Sequence, residues 1–440
     1  MSPVIAKEPR VCLAAQPALD RKHLCFRKEG MVLFLLRGWW GGRAVCRASV
    51  WALVLGWLQA VCLWLPGRMD AADEQARLVA YKDDLRARLQ PFVDRGEVGG
   101  LVAMVAGLEG ILDCTALGWK SLDRREALRG DALFWVASQT KPVTAAAVLQ
   151  LVDAGQLRLD DAIADYLPEF AVLQRIDSKE GDRIVLQRVQ TPLLVRHLLC
   201  HSGGVAHKTV FESPKFDRYP LEHRAKALAM APLDFEPGTQ AVYSNGGYTV
   251  LGRLIEVVSG ESFGEYVERH LLRPLQMEDT SFWPTQEQCE RLIQPAQPDM
   301  GWKVLVPARI GILTEPYHDR SVRYPLPLGG LFSTANDLSR FYRMLLRGGE
   351  LDGVRVLSQE SARRMRERQT PSGWKGAFSF GCLTTEKTFG HMGSFGTNSV
   401  ADVETGQIRI WLTQQSGNPG GAWEAEYLFE KAARSLLMPH

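Results

Sequence analysis

The sequence predicts an α+β fold, in which an antiparallel sheet is flanked by terminal helices and a mostly helical domain is inserted between about residues 145 and 325. Strand candidates lie near both ends of the chain, at 101–106, 111–118, 378–383, 397–403 and 407–414. Helical periodicity precedes the first group at 72–94 and follows the last at about 422–437, and helical segments dominate between the two groups.

The composition is that of an ordinary globular protein. The chain has 440 residues and a formal net charge of +2, with Lys and Arg spread along it, so it lacks the basic footprint of a nucleic-acid-binding protein. Its eight cysteines form no C-x-x-C pair. Those beyond residue 70 are predicted to be isolated small core residues, while an exported protein could pair two of them. They are Cys114, Cys200, Cys289 and Cys382.

The first seventy residues divide into two parts. Residues 1–30 are polar, show no period and are predicted to be disordered. Residues 31–70 place arginines before the uncharged run 49–66, which is a pattern of export. That run is short for a bilayer span and long for a signal-peptide core, so a cleaved signal and a membrane anchor both stay open, as does a translation start at Met31.

The remaining residues, 71–440, are predicted to form the functional domain, with 71–144 and 326–440 as its α/β part and 145–325 as its helical part. Residues 72–94 are an amphipathic helix, because Leu78, Tyr81, Leu85 and Leu89 share one face. The first two strands are joined by a hairpin turn at Glu109-Gly110.

Further elements follow from local patterns. Helices are predicted at 193–200, 248–258, 263–272 and 338–346, the last capped by Ser333 or Thr334. Charges from Asp177 to Asp182 indicate a loop. The segment 285–325 has few periodic signals and is predicted to be a long loop on the rim of a site.

The clearest chemical motif is Ser138-x-x-Lys141 at the start of a helix. Pro142 is tolerated only near a helix start, so the helix begins close to Ser138, where backbone N–H groups gather. The three-residue spacing puts the hydroxyl and the amine on one side of a helical turn. A lysine with a depressed pKa can take the serine proton, whereas the motif alone is also compatible with a simple helix cap.

Two further motifs lie in loops. Tyr243-Ser-Asn245 follows a Pro-Gly turn and precedes a helix, so a phenol and an amide could face a cleft. Gly390-His391-Met392-Gly393-Ser394 lies between strand candidates, where small residues let a substrate lie along the backbone.

Two other patterns are given structural roles. Gly260-Glu-Ser262-Phe-Gly264 matches a nucleophile elbow but has no preceding strand. His197 and His201, with Cys200 and His207 nearby, lack the glutamate and the third ligand of a zinc site. No metal or other cofactor is expected.

The order of the three motifs resembles the serine β-lactamase and penicillin-binding protein superfamily. The resemblance is strongest to the class C β-lactamase-like group of esterases, DD-carboxypeptidases and D-aminopeptidases. It runs from about residue 80 to the C-terminus and includes three further stretches typical of that group, Thr191–Gly204, Glu236–Gly238 and Leu328–Asp337.

The resemblance implies a role for each residue. Ser138 is the acylated nucleophile, and Lys141 and Tyr243 share its proton, with neutral Lys141 or the phenolate of Tyr243 as the base. Asn245 binds the substrate and helps to hold Lys141. The N–H groups of Ser138 and Ser394 form the oxyanion hole, and His391 and Gly393 bind substrate. The cleft between the two parts holds Ser138, Tyr243 and His391.

One departure bears on the substrate. Lactamases of the superfamily usually carry Lys-Thr-Gly or Lys-Ser-Gly where this chain has His391-Met392-Gly393. Since His can be neutral at pH 7 and Met has no donor, recognition of a carboxylate is weakened.

The sequence therefore predicts an exported serine hydrolase that acts on small esters, amides or peptides with weak or no β-lactamase activity. It would be periplasmic or extracellular, and membrane-bound through residues 49–66 if these are not cleaved. Alternatives are a DD-carboxypeptidase or D-aminopeptidase, a β-lactamase, and a non-catalytic scaffold.

Overall fold

The computed structural model describes residues 71–436. The predicted disordered extension and the segment 49–66 lie outside these residues. Within 71–436 no helix is both long enough and apolar enough to cross a bilayer.

The secondary structure runs from a long N-terminal helix, through a largely helical middle, to a C-terminal group of strands. The N-terminal part contains, in order, α1 (Ala71–Asp94), β1 (Gly100–Ala106), β2 (Ile111–Ser121), β3 (Glu126–Ala127) and β4 (Phe134–Trp135). The middle contains α2 (Thr140–Asp153), β5 (Gln174–Glu180), β6 (Arg183–Arg188), α3 (Val195–Leu199), α4 (Leu221–Met230), α5 (Asn245–Ser259), α6 (Phe263–Val267), α7 (Gln286–Glu290), β7 (Ala296–Pro298) and β8 (Leu305–Pro307). The C-terminal part contains β9 (Phe332–Ser333), α8 (Ala335–Leu346), β10 (Glu350–Leu351), β11 (Val354–Arg355), α9 (Gln359–Arg366), β12 (Leu383–Thr384), β13 (Thr388–Gly393), β14 (Thr397–Asp402), β15 (Ile408–Thr413) and α10 (Ala422–Leu436).

The main sheet of the described residues is antiparallel, with the strand order β12-β13-β14-β15-β1-β2-β3. The first strand pairs with the last, so that Ala103 lies opposite Trp411. The sheet therefore joins the two ends of the domain, and the α+β prediction is confirmed.

β1 is buried along its whole length because both faces of the sheet are covered. Leu101, Ala103 and Val105 contribute to the core under α1 and α10, whereas Val102 and Met104 contribute to the larger core on the other face. This explains why β1 reads as an unbroken apolar run rather than as an alternating one.

The two terminal helices pack together on the sheet, as predicted. α1 buries Tyr81, Leu85 and Leu89, and its Arg77 guanidinium donates to the Ser435 carbonyl of α10 at 2.7 Å. The rings of Trp411 on β15 and Phe429 on α10 stack at 5.8 Å.

Several predicted loops are ordered elements. The charged segment near Asp177 belongs to the hairpin β5–β6, whose two faces are mostly exposed, so that no apolar alternation marks it in the sequence. The segment 285–325 contains α7 and the hairpin β7–β8. Helices α4 and α9 lie in stretches for which no helix was predicted.

The predicted strand at 378–383 is also wrong. Apart from a bridge between Phe378 and Leu383 and the start of β12 at Leu383, this stretch forms no strand, and its residues Phe378, Phe380 and Cys382 are buried in the core. Among the described cysteines, all free, Cys200 and Cys382 are buried as predicted, whereas Cys114 is exposed. The predicted cap of α8 is Thr334, whose hydroxyl accepts from the Asp337 N–H at 3.3 Å.

Candidate active site

Ser138 lies in a single 3-10 turn, Ala137–Gln139, between β4 and α2. The turn starts with a positive φ of 48° at Ala137, which redirects the chain from the strand into the helix. The Ser138 side chain is half-buried at the start of the helix, as the position of Pro142 predicted.

The turn is held by the segment 328–333. Strand β4 pairs with β9, and the Val136 N–H donates to the Leu331 carbonyl at 3.0 Å. The Thr140 hydroxyl donates to the Ala137 carbonyl at 2.7 Å and accepts from the Leu331 N–H at 3.1 Å. Backbone on both sides of Ser138 is therefore fixed by residues almost two hundred positions away.

Lys141 is fully buried, and its amine lies beside the serine hydroxyl. Its Nζ donates to Ser138 Oγ at 3.2 Å and to the Leu328 carbonyl at 2.6 Å. Burial lowers the pKa of Lys141 well below its usual range, because the charged form loses its hydration. A neutral amine at this distance can accept the serine proton.

Tyr243 comes to the same hydroxyl from the helical part. The Lys141 Nζ lies 4.8 Å from the centre of the Tyr243 ring, and the phenol lies close enough to Ser138 for that side chain to lower the pKa of Tyr243. Burial raises the pKa of Tyr243 to about 12, although the neighbouring Ser138 opposes this shift. The phenol is therefore a proton donor at neutral pH.

The start of α5 explains the position of Tyr243. Ser244 caps this helix by accepting from the Gly247 N–H at 3.2 Å. A Cβ on Gly246 would lie 2.1 Å from the Ala206 carbonyl, so only glycine lets the first turn pack against that loop. Tyr243 lies directly before the cap, so this close contact fixes its position in the site.

Asn245 lies beside Tyr243 and pairs with His207. Its Nδ2 lies 3.1 Å from His207 Nε2, while its Oδ1 is buried without a hydrogen-bond partner among the described residues. The hydrogen bonds of the Lys141 amine go to Ser138 and Leu328, not to Asn245. The Lys141 amine is thus held by its hydrogen bond to the Leu328 carbonyl.

His391 lies on strand β13, not in a loop between strands as the sequence analysis placed it. Glycine is needed at position 390 because a Cβ there would lie 2.0 Å from the Ser399 carbonyl of β14. The imidazole is buried, and its centre lies 6.0 Å from that of the Tyr243 ring.

The His391 ring is neutral. Burial first, and then the nearby Lys141, lower the pKa of His391 to about 3, against the opposing effect of its hydrogen bond to the Met392 carbonyl. Because the carbonyl accepts, Nδ1 carries the proton in this 2.6 Å bond. Nε2 is then left as an acceptor.

The end of β13 contacts the nucleophile turn directly. A Cβ on Gly393 would lie 2.3 Å from the Val136 carbonyl, and the Thr397 hydroxyl donates to the same carbonyl at 3.3 Å. Ser394 follows as an exposed residue. This contact brings the residue before Ser394 against the turn of Ser138, as an oxyanion hole formed by their two N–H groups requires. That role stays a prediction.

The sequence analysis missed several groups that build the site. They are the Leu328 carbonyl, His207, and the imidazole of His201, which packs against Tyr243 with 4.6 Å between ring centres. The sequence pattern Leu328-Gly-Gly marked this stretch as typical of the family. It could not show that the Leu328 carbonyl accepts a hydrogen bond, because a backbone acceptor does not depend on residue type.

The two remaining motifs have structural contacts. Ser262 caps α6, accepting from the Glu265 N–H at 3.4 Å. His197 Nδ1 accepts from the Leu194 N–H at 3.2 Å at the start of α3. Within residues 71–436, no group of three or more His, Cys, Asp or Glu side chains is placed to hold a metal ion.

Comparison with known proteins gives a consistent result. The Beta-lactamase family model matches residues 85–433. Protein Rv1367c of Mycobacterium tuberculosis is 32% identical over 291 residues, which cover 64% of this chain and 71% of that protein. The D-alanyl-D-alanine-carboxypeptidase/endopeptidase AmpH of Escherichia coli is 34% identical over 165 residues, 37% of this chain and 40% of that protein.

The fold is shared with solved structures. EstCE1, a hydrolase with promiscuous acyltransferase activity, superimposes with a TM-score of 0.68 at 22% identity, over 82% of this chain and all of EstCE1. The family match covers both the strand that carries His391 and the turn that carries Ser138. The chain belongs to the Beta-lactamase family.

Proposed function

We propose that the protein is a serine hydrolase that forms an acyl-enzyme on Ser138 and acts mainly on uncharged esters or amides. The observation that carries this proposal is the contact between the Ser138 hydroxyl and the buried amine of Lys141, at 3.2 Å. A serine hydroxyl needs a neighbouring base to become nucleophilic, and the lowered pKa of Lys141 supplies one.

In the first half of the reaction, Ser138 Oγ attacks the substrate carbonyl carbon and Lys141 takes the hydroxyl proton. The raised pKa of Tyr243 favours neutral Lys141 over a phenolate as this base. The negative charge that develops on the carbonyl oxygen is stabilised by the N–H groups of Ser138 and Ser394. The bond to the leaving alcohol or amine then breaks, and the proton passes through Tyr243 to that group.

In the second half, water attacks the acyl carbon and gives one proton back to the Lys141–Tyr243 pair. The bond from the acyl carbon to Ser138 Oγ breaks, and the serine recovers its proton. The acid leaves, and both side chains return to their first protonation state. Asn245 and the backbone of Gly393 line the acyl group in this arrangement.

The preference for uncharged substrates rests on His391 and Met392. A neutral imidazole and a thioether that is 58% exposed occupy the positions where the lactamase pattern has a cation and a hydroxyl. Neither can form the charge-assisted hydrogen bonds that hold a substrate carboxylate. We therefore expect weak or no hydrolysis of penicillins.

A second candidate is a carboxypeptidase or related peptidase, because AmpH, which is 34% identical over 165 residues, carries that activity in its name. Such substrates end in a carboxylate, so this candidate requires another cation or a backbone donor in place of His391. A β-lactamase has the same requirement.

We also propose that the protein is exported. The basic residues and the apolar run within residues 31–70 support this, whether the run 49–66 is cleaved or kept as an anchor. Fractionation of cells that produce the full chain, with the mass of the mature protein, distinguishes the two.

The test of the activity is the intact mass of a 71–440 fragment after exposure to a fluorophosphonate, a p-nitrophenyl ester and a penicillin. We expect a covalent adduct on the wild type and none on Ser138→Ala, together with ester turnover that exceeds penicillin turnover. A folded wild type with neither adduct nor turnover supports the scaffold alternative. Faster turnover of penicillin or of a D-alanyl peptide selects the second candidate.

A further inference from the structure

His201 has a backbone conformation that its residue type disfavours. It follows the short helix α3 with a φ of 59°, in the left-handed region where glycine is the usual residue. Glycines stand at the nearby positions 203 and 204, yet position 201, which has this conformation, is a histidine. A buried histidine in a strained backbone conformation indicates that its side chain has a structural or functional role.

The polar atoms of His201 hold both neighbours of Tyr243. Its carbonyl accepts from the Val242 N–H at 2.9 Å, and its Nδ1 accepts from the Ser244 N–H at 3.1 Å. Because Nδ1 accepts, the proton of the neutral ring is on Nε2. One residue therefore fixes the peptide groups on either side of the phenol.

The imidazole also packs directly against the phenol. Its ring centre lies 4.6 Å from that of Tyr243, 5.1 Å from that of Tyr248 and 4.8 Å from that of Phe378. The aromatic neighbours fill the space around the imidazole, so the Tyr243 ring cannot move toward His201.

The groups that face His201 keep it neutral. Burial first, and then Lys141 of α2, His391 of β13 and His207 of the neighbouring loop, lower the pKa of His201 well below its usual range. Tyr243 and Tyr248 are protonated at neutral pH because burial raises the pKa of each. A protonated His201 would lose the Nδ1 acceptor and release the Ser244 N–H.

We propose that His201 is a positioning residue that holds the Tyr243 phenol at Ser138 through the two flanking hydrogen bonds and the ring contact. It touches no reacting atom and acts only through Tyr243. The inference rests on the proposed function.

The test compares two variants of His201, one that keeps an aromatic ring and one that keeps a hydrogen-bond acceptor. His201→Phe keeps a ring but has no acceptor, whereas His201→Asn keeps an acceptor at the δ position and tolerates the left-handed backbone. For p-nitrophenyl acetate we expect His201→Phe to lower kcat by about 30-fold or more with KM within about threefold, since substrate contacts are unchanged. We expect His201→Asn to recover about tenfold of that loss.

The matched control is His197→Leu. This change removes the half-buried Nδ1 acceptor of His197 on α3, which is bonded to the Leu194 N–H and not to the Tyr243 loop. It should lower the melting temperature while leaving kcat within about threefold of wild type. All rates are expressed per site titrated with a fluorophosphonate, so that loss of folded protein does not mimic a catalytic defect.

The inference is overturned if His201→Phe keeps kcat within threefold, or if His197→Leu loses as much kcat as His201→Phe. If His201→Phe does not fold, His201→Gln replaces it, because its amide lies one bond too far to reach Ser244, and equal kcat for Asn and Gln overturns the inference. A wild type that neither labels nor turns over ester refutes the proposed function itself.

Discussion

The amine of Lys141 is the most consequential single group in the protein. It has three features at once: complete burial, a hydrogen bond to Ser138 and a hydrogen bond to the Leu328 carbonyl. A charged ammonium would need a compensating acceptor, and no carboxylate among residues 71–436 accepts from it. Burial therefore favours the neutral, basic form of the amine.

The pH dependence of acylation follows from that form. Because the folded-state pKa of Lys141 is below the unfolded value of 10.5, the rate should rise with pH through the folded pKa and then level off. We expect a plateau in ester kcat/KM before pH 9, with Ser138→Ala as the blank. An ordinary lysine would instead give a rate that still rises about tenfold per pH unit at pH 9.

The same shift contributes to stability with a definite sign. Between the folded pKa and 10.5 the unfolded chain binds a proton that the folded chain does not, so the contribution of Lys141 to the free energy of unfolding grows as pH rises through this window.

The substrate preference can be tested at His391 and Met392. The double change His391→Lys with Met392→Thr places a cation and a hydroxyl beside Gly393. We expect the ratio of kcat/KM for benzylpenicillin to that for p-nitrophenyl acetate to rise about tenfold or more. Met392→Thr alone adds the hydroxyl without the charge and should change the ratio much less.

An unchanged ratio in the double variant, with sites that still label, would mean that these two positions do not contact the substrate carboxylate. The preference for uncharged substrates would then have another origin.

At the scale of elements, the site depends on close backbone contacts between strands and turns that are distant in sequence. The end of β13 lies against the Ser138 turn because Gly393 has no side chain to separate them. The segment 328–333 holds the other side of this turn through β9 and the Leu331 peptide.

Gly393→Ala should therefore damage catalysis more than folding. Its Cβ would lie 2.3 Å from the Val136 carbonyl and 2.4 Å from the Thr397 hydroxyl, so β13 must move away from Ser138. We expect kcat/KM for an ester to fall about 100-fold, since a displacement near 1 Å misaligns the reacting groups. The free energy of unfolding should fall by about 1–3 kcal/mol.

Gly110→Ala is the control for this change. Gly110 lies in the turn between β1 and β2, and a Cβ there would meet no atom within 4 Å. It should leave both quantities close to wild type. Equal kcat/KM in the two variants would show that the position of β13 does not matter for the reaction.

At the scale of the whole molecule, one sheet joins strands from near both ends of the described residues, 71–436. β1 pairs with β15 over six residue pairs, and α10 covers the face that α1 also covers. The N-terminal strands therefore need the last forty residues to complete their pairing and cover their core. We expect a nonlocal sheet of this kind to form cooperatively.

Removal of the residues after Val403 should abolish folding. This truncation deletes β15 and α10, leaves β1 and β14 unpaired on one side and exposes the core residues under α1. We expect no cooperative thermal transition and no fluorophosphonate labelling. A chain ending at Leu436 is the control and should retain both, whereas a labelled 71–403 fragment would contradict the prediction.

The sequence by itself determined the elements with strong periodicity and the local arrangement of Ser138 and Lys141. α1, β1, β2, α2, α5 and α10 follow from apolar spacing, and Ser138 and Lys141 share one helical turn, so their contact needs no tertiary information. The motif order also identified the family that the comparisons confirm.

Only the tertiary structure decided how distant segments meet and what charge they carry. The packing of His201 and His391 around Tyr243, the strand at 388–393 and the exposed hairpin β5–β6 depend on close glycine contacts and nonlocal pairing, which leave weak local patterns. The pKa shifts of Lys141, His391 and Tyr243 arise from burial, and burial is a property of the folded chain and not of its residue types.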